Sequence, residues 1–192
     1  PAGVTLSLAR RKALLELAHD YQIIIIEDTP YRQLRYVGKP LPSLWSLDGG
    51  EGYVISLHTF SKILFPGLRL GWMVGQPAVI EKFVIAKQGM DLCTPPLTQA
   101  IACEYMKRGL LDSHIQENVA LYKNKRKIML ESLEKYMPKH PGVKWTKPEG
   151  GMFVWVTLPA GMADQSGKLA AMQMERHAFQ HRRGSVAEGD IL

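Results

Sequence analysis

The chain has 192 residues, room for one domain and part of another, and its 46% hydrophobic and 22% charged residues are those of an ordinary globular protein, not a disordered or fibrous one. The net charge of +6 is spread along the chain and not interleaved with aromatics, which argues against a nucleic-acid surface. No apolar run approaches a membrane span, no charged-then-apolar leader opens the chain, and Cys93 and Cys103 fit no zinc spacing, so a cytoplasmic protein with reduced core thiols and no metal is expected.

In chain order, Ser7 is a plausible N-cap for a helix whose apolar positions, Leu8, Leu14, Leu15, Leu17 and Ala18, recur at helical spacing as far as His19-Asp20. Ile23-Ile24-Ile25-Ile26 follows, a β-branched run suited to a parallel strand buried on both faces. It runs into Glu27-Asp28-Thr29-Pro30-Tyr31, which presents polar groups at the carboxyl end of the sheet, where α/β folds bind ligands. Leu34 to Pro42 reads as a surface loop, Tyr53 to Leu57 as the next strand ending at Thr59, and Leu70 to Val74 as another. Asp28 and Lys62 thus both follow strand ends, and distant groups can meet over one sheet edge. Pro77 opens a helix to about Gln88, and Pro95-Pro96 breaks the chain before a helix reaching Lys107. Ser113 and Gln116 form a capping box for a long helix to Met137, along which Lys123 to Lys127 is a solvated face. Val143 to Thr146 and Val154 to Val156 are short strands, joined through Pro148-Glu149-Gly150-Gly151-Met152-Phe153. A helix is expected over Lys168 to Arg182.

The densest chemistry lies in Thr59-Phe60-Ser61-Lys62-Ile63-Leu64-Phe65-Pro66-Gly67-Leu68-Arg69-Leu70-Gly71-Trp72. Two hydroxyls and a planar guanidinium can hold a phosphate, with a lysine amine beside it. Such an amine serves in covalent catalysis when burial or a cationic neighbour such as Arg69 favours its neutral form. Asp28 offers a carboxylate that favours a positive charge nearby, and Tyr31 a phenol that can hydrogen-bond an oxygen.

These motifs resemble those of the class I/II aminotransferases, fold type I pyridoxal-phosphate enzymes, over about Pro1 to Pro159, and are most similar to the 2-aminoadipate and broad-specificity subgroup. The resemblance implies pyridoxal 5'-phosphate as cofactor, Lys62 as its Schiff-base lysine, Asp28 on its pyridine nitrogen and Tyr31 on its phenolic oxygen. Thr59, Ser61 and Arg69 would hold the phosphate. Thr29 stands where the family often has a second aspartate. The resemblance further implies an α/β fold: residues 1–110 as the C-terminal part of a large three-layer α/β/α domain with a mainly parallel sheet, and residues 111–192 as the interdomain helix and part of a smaller α+β domain. Pro1-Ala2-Gly3 looks like the end of the family's Asn-Pro-x-Gly turn, so the chain reads as a fragment, expected to be inactive without its upstream half. The implied reaction moves an amino group from an α-amino acid to a 2-oxo acid, in a protein that is a homodimer at full length. Beyond Pro159 the pattern departs from the family, and Arg176, Arg182 and Arg183 fall in no motif that would make them a carboxylate clamp. The alternative is a cofactor-sensing effector domain of a bacterial transcription regulator, which has the same fold and lysine.

Overall fold

The computed structural model describes residues 3–159. The expected helix over Lys168 to Arg182 and the three arginines after Pro159 lie outside that range. The chain divides into two compact units, one formed by Thr5–Val119 and the other by its first four residues with the chain from Ala120 onward.

The first unit begins with α1 (Leu8–Asp20), capped as its sequence predicts, with the Ser7 hydroxyl accepting the Arg10 N–H at 3.3 Å. Its end is a Schellman closure without glycine. Gln22 takes the left-handed conformation at φ 54°, while the Ile23 N–H reaches the Ala18 carbonyl and the Gln22 N–H reaches that of His19. The Gln22 amide donates to the His19 carbonyl at 2.9 Å and to the Tyr53 hydroxyl at 2.7 Å, holding a backbone shape that glutamine seldom adopts.

β1 spans Ile25–Asp28, two residues later than the isoleucine run suggests, and is not buried on both faces. Ile24 and Ile26 are 48% and 64% exposed, while Glu27 is buried. Side chains alternate across a strand, so the residues on the Glu27 face meet the helical layer and those on the Ile26 face have no cover among the described residues. β1 pairs in parallel with β2 (Val54–Thr59), and β2 pairs antiparallel with β3 (Gly71–Val74), giving the order β1-β2-β3. The sheet is therefore half parallel over the described residues.

The expected surface loop from Leu34 carries core residues: Leu34 is 0% and Tyr36 7% exposed. A short helix that the sequence reading did not foresee, α2 (Leu44–Asp48), follows, with Ser43 capping it and Gly49 closing it in the left-handed region. The buried Glu27 carboxylate accepts the Leu44 N–H at 2.9 Å, the Trp45 N–H at 3.2 Å and the Arg11 guanidinium at 3.3 Å. One anion thereby caps α2, pairs with α1 and fixes β1 between them. Asp48, also buried, accepts the Gly52 and Tyr53 amides and leads the chain into β2.

α3 (Pro77–Asp91) and α4 (Pro96–Lys107) complete the unit with the start of α5 (Leu110–Tyr136). The expected capping box is not formed, because α5 begins three residues earlier and the Ser113 hydroxyl donates back to the Leu110 carbonyl at 3.0 Å. Both cysteines are free and exposed, not in the core. Cys93 follows a helix with no buried residue, and Cys103 adjoins Ala102, which takes the inward position.

In the second unit β4 (Lys144–Trp145) and β5 (Val156–Thr157) form an antiparallel pair. Arg126, within the basic run expected to be solvated, donates to the Pro148 carbonyl instead. No helix among the described residues is long and apolar enough to cross a membrane.

Replacing Glu27 with alanine removes three charge-assisted bonds and leaves the α2 amides unpaired, so unfolding in urea should show a loss of about 2–3 kcal/mol. A loss within experimental scatter would show that water replaces the carboxylate without cost.

Candidate functional site

Register decides where the site forms. Because β1 and β2 are parallel with Asp28 opposite Leu57, their carboxyl ends emerge on one edge, Asp28 from β1 and Thr59 from β2. The Thr29 amide and hydroxyl both donate to the Leu57 carbonyl, at 3.2 and 3.1 Å, and bind the two ends together. Asp28 is exposed there. Tyr31 lies in the following turn, closed by the Leu34 N–H on its carbonyl at 2.9 Å.

The segment from Phe60 to Leu70 is a long loop closed at its neck, where the Phe60 N–H donates to the Leu70 carbonyl at 3.1 Å. Leu64 and Leu70 pack with Ala102 of α4, and Phe60, Leu68, Tyr105 and Leu111 surround them. Phe65 meets Tyr105 edge to face at 6.1 Å. With its apolar residues held down, the loop carries Ser61, Lys62 and Arg69 at half-buried or exposed positions. The Lys62 ammonium stands 5.9 Å from the centre of the Tyr31 ring, so residues from two strand ends meet. Thr59 and Ser61 are joined hydroxyl to hydroxyl at 3.0 Å, and the Ser61 N–H donates to the Thr59 oxygen at 3.1 Å. The Thr59 oxygen also lies 3.0 Å from the Leu70 carbonyl.

Arg69 is left-handed at φ 53°, a turn that returns the chain into β3. Its guanidinium donates to the Pro66 carbonyl at 3.3 Å, within its own turn and not to Thr59 or Ser61. Gly71 is required next: a Cβ there would sit 2.9 Å from the His58 carbonyl. The six residues singled out in the sequence thus all lie in one unit, Lys62 beside Tyr31 and Thr59 beside Ser61, with Asp28 and Arg69 at the ends of the turns that frame them.

The sequence reading missed His58. It shares the face of β2 with Ser56, has Ser56 Oγ at 3.0 Å from Nε2 and Thr29 Oγ1 at 3.3 Å from Nδ1, and stacks on Trp72 at 5.1 Å and 13°. A lone histidine in an apolar strand gives no motif; only its position opposite Trp72 and two residues after a serine could have hinted at the arrangement.

In the second unit, the Glu149 N–H donates to the Gly3 carbonyl at 3.2 Å, so the motif at the start of the chain meets Pro148-Glu149-Gly150-Gly151. Gly3 has φ +72°, and a Cβ there would collide with Pro148.

Residues 1–184 match the family model described as aminotransferase class I and II. Aromatic-amino-acid aminotransferase 1 of Thermococcus litoralis is 55% identical over 162 residues, 84% of this chain and 38% of that protein. The solved structure of LysN, an α-aminoadipate aminotransferase from Thermus thermophilus complexed with N-(5'-phosphopyridoxyl)-L-leucine, superposes with a TM-score of 0.80 at 39% identity. That likeness covers 86% of this chain and 42% of the other. More distantly, the uncharacterised helix-turn-helix transcriptional regulator YdfD of Bacillus subtilis is 33% identical over 158 residues, 82% of this chain and 32% of its own. The chain therefore spans well under half the length of these relatives.

Burial, and next the charge of Arg32, push the His58 pKa below its ordinary 6.5, with Glu27 opposing them. The unfolded chain then binds the proton more readily, so stability is complete above pH 6.5 and falls as pH drops through the lowered folded value. The melting temperature should fall between pH 7.5 and 5, and fall less in His58→Asn. Parallel pH profiles for the two proteins would refute this.

Proposed function

The chain belongs to the class I and II aminotransferases, and on that premise we propose that its protein transfers an amino group between an α-amino acid and a 2-oxo acid, with pyridoxal 5'-phosphate as cofactor. The observation that carries this reading is the Lys62 amine over the Tyr31 ring, in a loop that also bears Arg69 and Ser61, the latter linked to the Thr59 hydroxyl at the end of β2, at the sheet edge where Asp28 is exposed.

The donor set fits the cofactor group by group. An amine suits its carbonyl carbon, a carboxylate its ring nitrogen, a phenol its ring oxygen, and two hydroxyls with a guanidinium its phosphate. The bonds from Thr59 and Arg69 to the Leu70 and Pro66 carbonyls are the ones to be exchanged for phosphate oxygens. When bound, the cofactor supplies an electron-withdrawing ring conjugated to the substrate's Cα. Asp28 would keep the ring nitrogen protonated by charge attraction, and Tyr31 would donate to the ring oxygen. Lys62 would hold the cofactor through its amine until the substrate amine displaces it, and then act as the base that takes the proton from the substrate's Cα. The buried Ile63 and Leu64, next in the chain, anchor the backbone from which that amine projects.

A second reading, an effector domain of a transcription regulator that senses the same cofactor, is favoured by the similarity to YdfD. The greater similarity to the Thermococcus enzyme weighs toward catalysis. A DNA-binding helix-turn-helix sequence ahead of Pro1 would favour the regulator. The division of the chain at residue 110 into large and small domains, a homodimer and a cytoplasmic location belong to the proposal and rest on family likeness.

Borohydride reduction of the full-length protein with pyridoxal phosphate should fix the cofactor to Lys62, and Lys62→Ala should retain none. Label on another lysine would reject the assignment. Asp28→Asn should still bind cofactor through the phosphate contacts yet turn over roughly 10²–10⁴-fold more slowly, the usual scale of a lost acid–base function. Turnover within a few-fold of the parent would remove Asp28 from its role.

A further inference from the structure

His58 takes no part in the reaction outlined above, yet both of its ring nitrogens are engaged. Thr29 Oγ1 lies 3.1 Å from the Leu57 carbonyl, which can only accept, so the single hydroxyl proton of Thr29 is committed there. The 3.3 Å contact between Thr29 Oγ1 and Nδ1 must then have Nδ1 as donor. That leaves Nε2 to accept the proton of the Ser56 hydroxyl at 3.0 Å. The chain of bonds runs from Ser56 through the ring to Thr29 and on to the Leu57 carbonyl, and it fixes one neutral tautomer. Trp72, the cross-strand partner of His58, stacks on the ring face at 5.1 Å. Ser56 is 1% exposed, so this network is closed to exchange with bulk water at that end.

Thr29 lies between Asp28 and Tyr31, on the turn that carries both. We propose that His58 is a positioning residue: by bonding Thr29 it locks the turn from Asp28 to Tyr31 against the end of β2, and so sets those two groups relative to Lys62. The proposal rests on the functional reading given above. The charged groups that bear on the ring are Arg32, on the same turn, and Glu27, on β1. Protonation keeps Nδ1 a donor to Thr29 but makes Nε2 a donor as well, facing the proton of the buried Ser56 hydroxyl; relief of that clash by a shift of the ring would pull Nδ1 off the Thr29 oxygen, so cofactor affinity should weaken below pH 6.5 together with the charge on His58.

The test uses the full-length protein and three variants. In His58→Asn the amide can place a donor where Nδ1 stands, in His58→Gln it reaches only toward the Nε2 position, and His58→Leu has neither. Equilibrium titration with pyridoxal phosphate should give a dissociation constant about 5- to 10-fold weaker for the Leu and Gln variants, the scale of one lost hydrogen bond, and within about twofold of the parent for Asn. Thr29→Val, which also gives up the hydroxyl's bond to the Leu57 carbonyl, should lose at least as much, and the Thr29→Val/His58→Leu double variant no more than Thr29→Val alone. Trp72 fluorescence should be quenched as pH falls through a midpoint below 6.5, over the window in which affinity weakens. Neither the Trp72→Phe nor the His58→Leu protein should show that quenching. Equal losses in the Asn and Leu variants, additive losses in the double variant, or an affinity that ignores the quenching transition would each overturn the proposal. A parent with no cofactor trapped on Lys62 would reject the functional reading alone. The same cycle measured by thermal unfolding would then judge His58, with additive effects ruling out its coupling to Thr29.

Discussion

The Glu27 carboxylate is the constraint on which the first unit depends. It is buried, and two amides at the start of α2 and a guanidinium from α1 converge on it. An unpaired anion there would be costly, and these partners together hold β1 in one rotation about its axis. Since strand side chains alternate, fixing Glu27 toward the helices directs Asp28 the other way, and the parallel register then sets Thr59 at the same edge. A one-residue slip of β1 would exchange the two carboxylates, leaving Asp28 buried without its cap and Glu27 outside. The buried charge and the exposed charge are neighbours in sequence, and the pleat separates them.

That constraint also explains what the sequence could and could not reveal. That Lys62 and its neighbours form a cluster was readable because hydroxyls, amine and guanidinium crowd around a Pro-Gly turn in fixed order, a pattern that packing alone does not require; their roles are part of the proposal. α1 was readable to its ends because Ser7 caps it and the helical period stops at Asp20. The isoleucine run misled, since four identical side chains carry no register, and the residue that fixes β1 is the glutamate after them. α2 has only five residues, too few to show a period, although Ser43 before it and Gly49 after it are the expected punctuation. At Ser113 the box motif was present in letters only: α5 was already under way, and a hydroxyl inside a helix turns back to the preceding carbonyl. Gln22 closes α1 with no glycine to announce it, because its side chain finds bonds that hold the left-handed turn.

Two glycines with close backbone neighbours show how motifs far apart in sequence come to share one structure. Gly3 meets Pro148 within the second unit, and its carbonyl takes the Glu149 amide. Gly71 lies against the His58 carbonyl within the first. Neither pair can be inferred from spacing, since each depends on a chain return that local sequence does not encode. A resemblance of motifs can mark such residues as belonging together, but the reason that no side chain fits there is visible only in three dimensions.

A loop that offers an amine to a ligand must be accessible without being loose, and on the proposed reading the segment from Phe60 to Leu70 meets both demands by separating its neck from its apolar floor. The neck is tied by one backbone bond continuing the β2–β3 ladder, so the loop begins and ends at a fixed point. The floor is Leu64 and Leu70 against Ala102, where a small residue on α4 lets the loop approach closely. The polar residues are left to the half-buried and exposed positions by subtraction, because every apolar side chain that packs inward commits the backbone beside it. Left-handed Arg69 is the cost of turning so sharply into β3, as Gln22 is at the end of α1. On the proposed reading, the turn fixes where the Arg69 guanidinium starts from, and release of a single bond to the Pro66 carbonyl would let it swing to an anion.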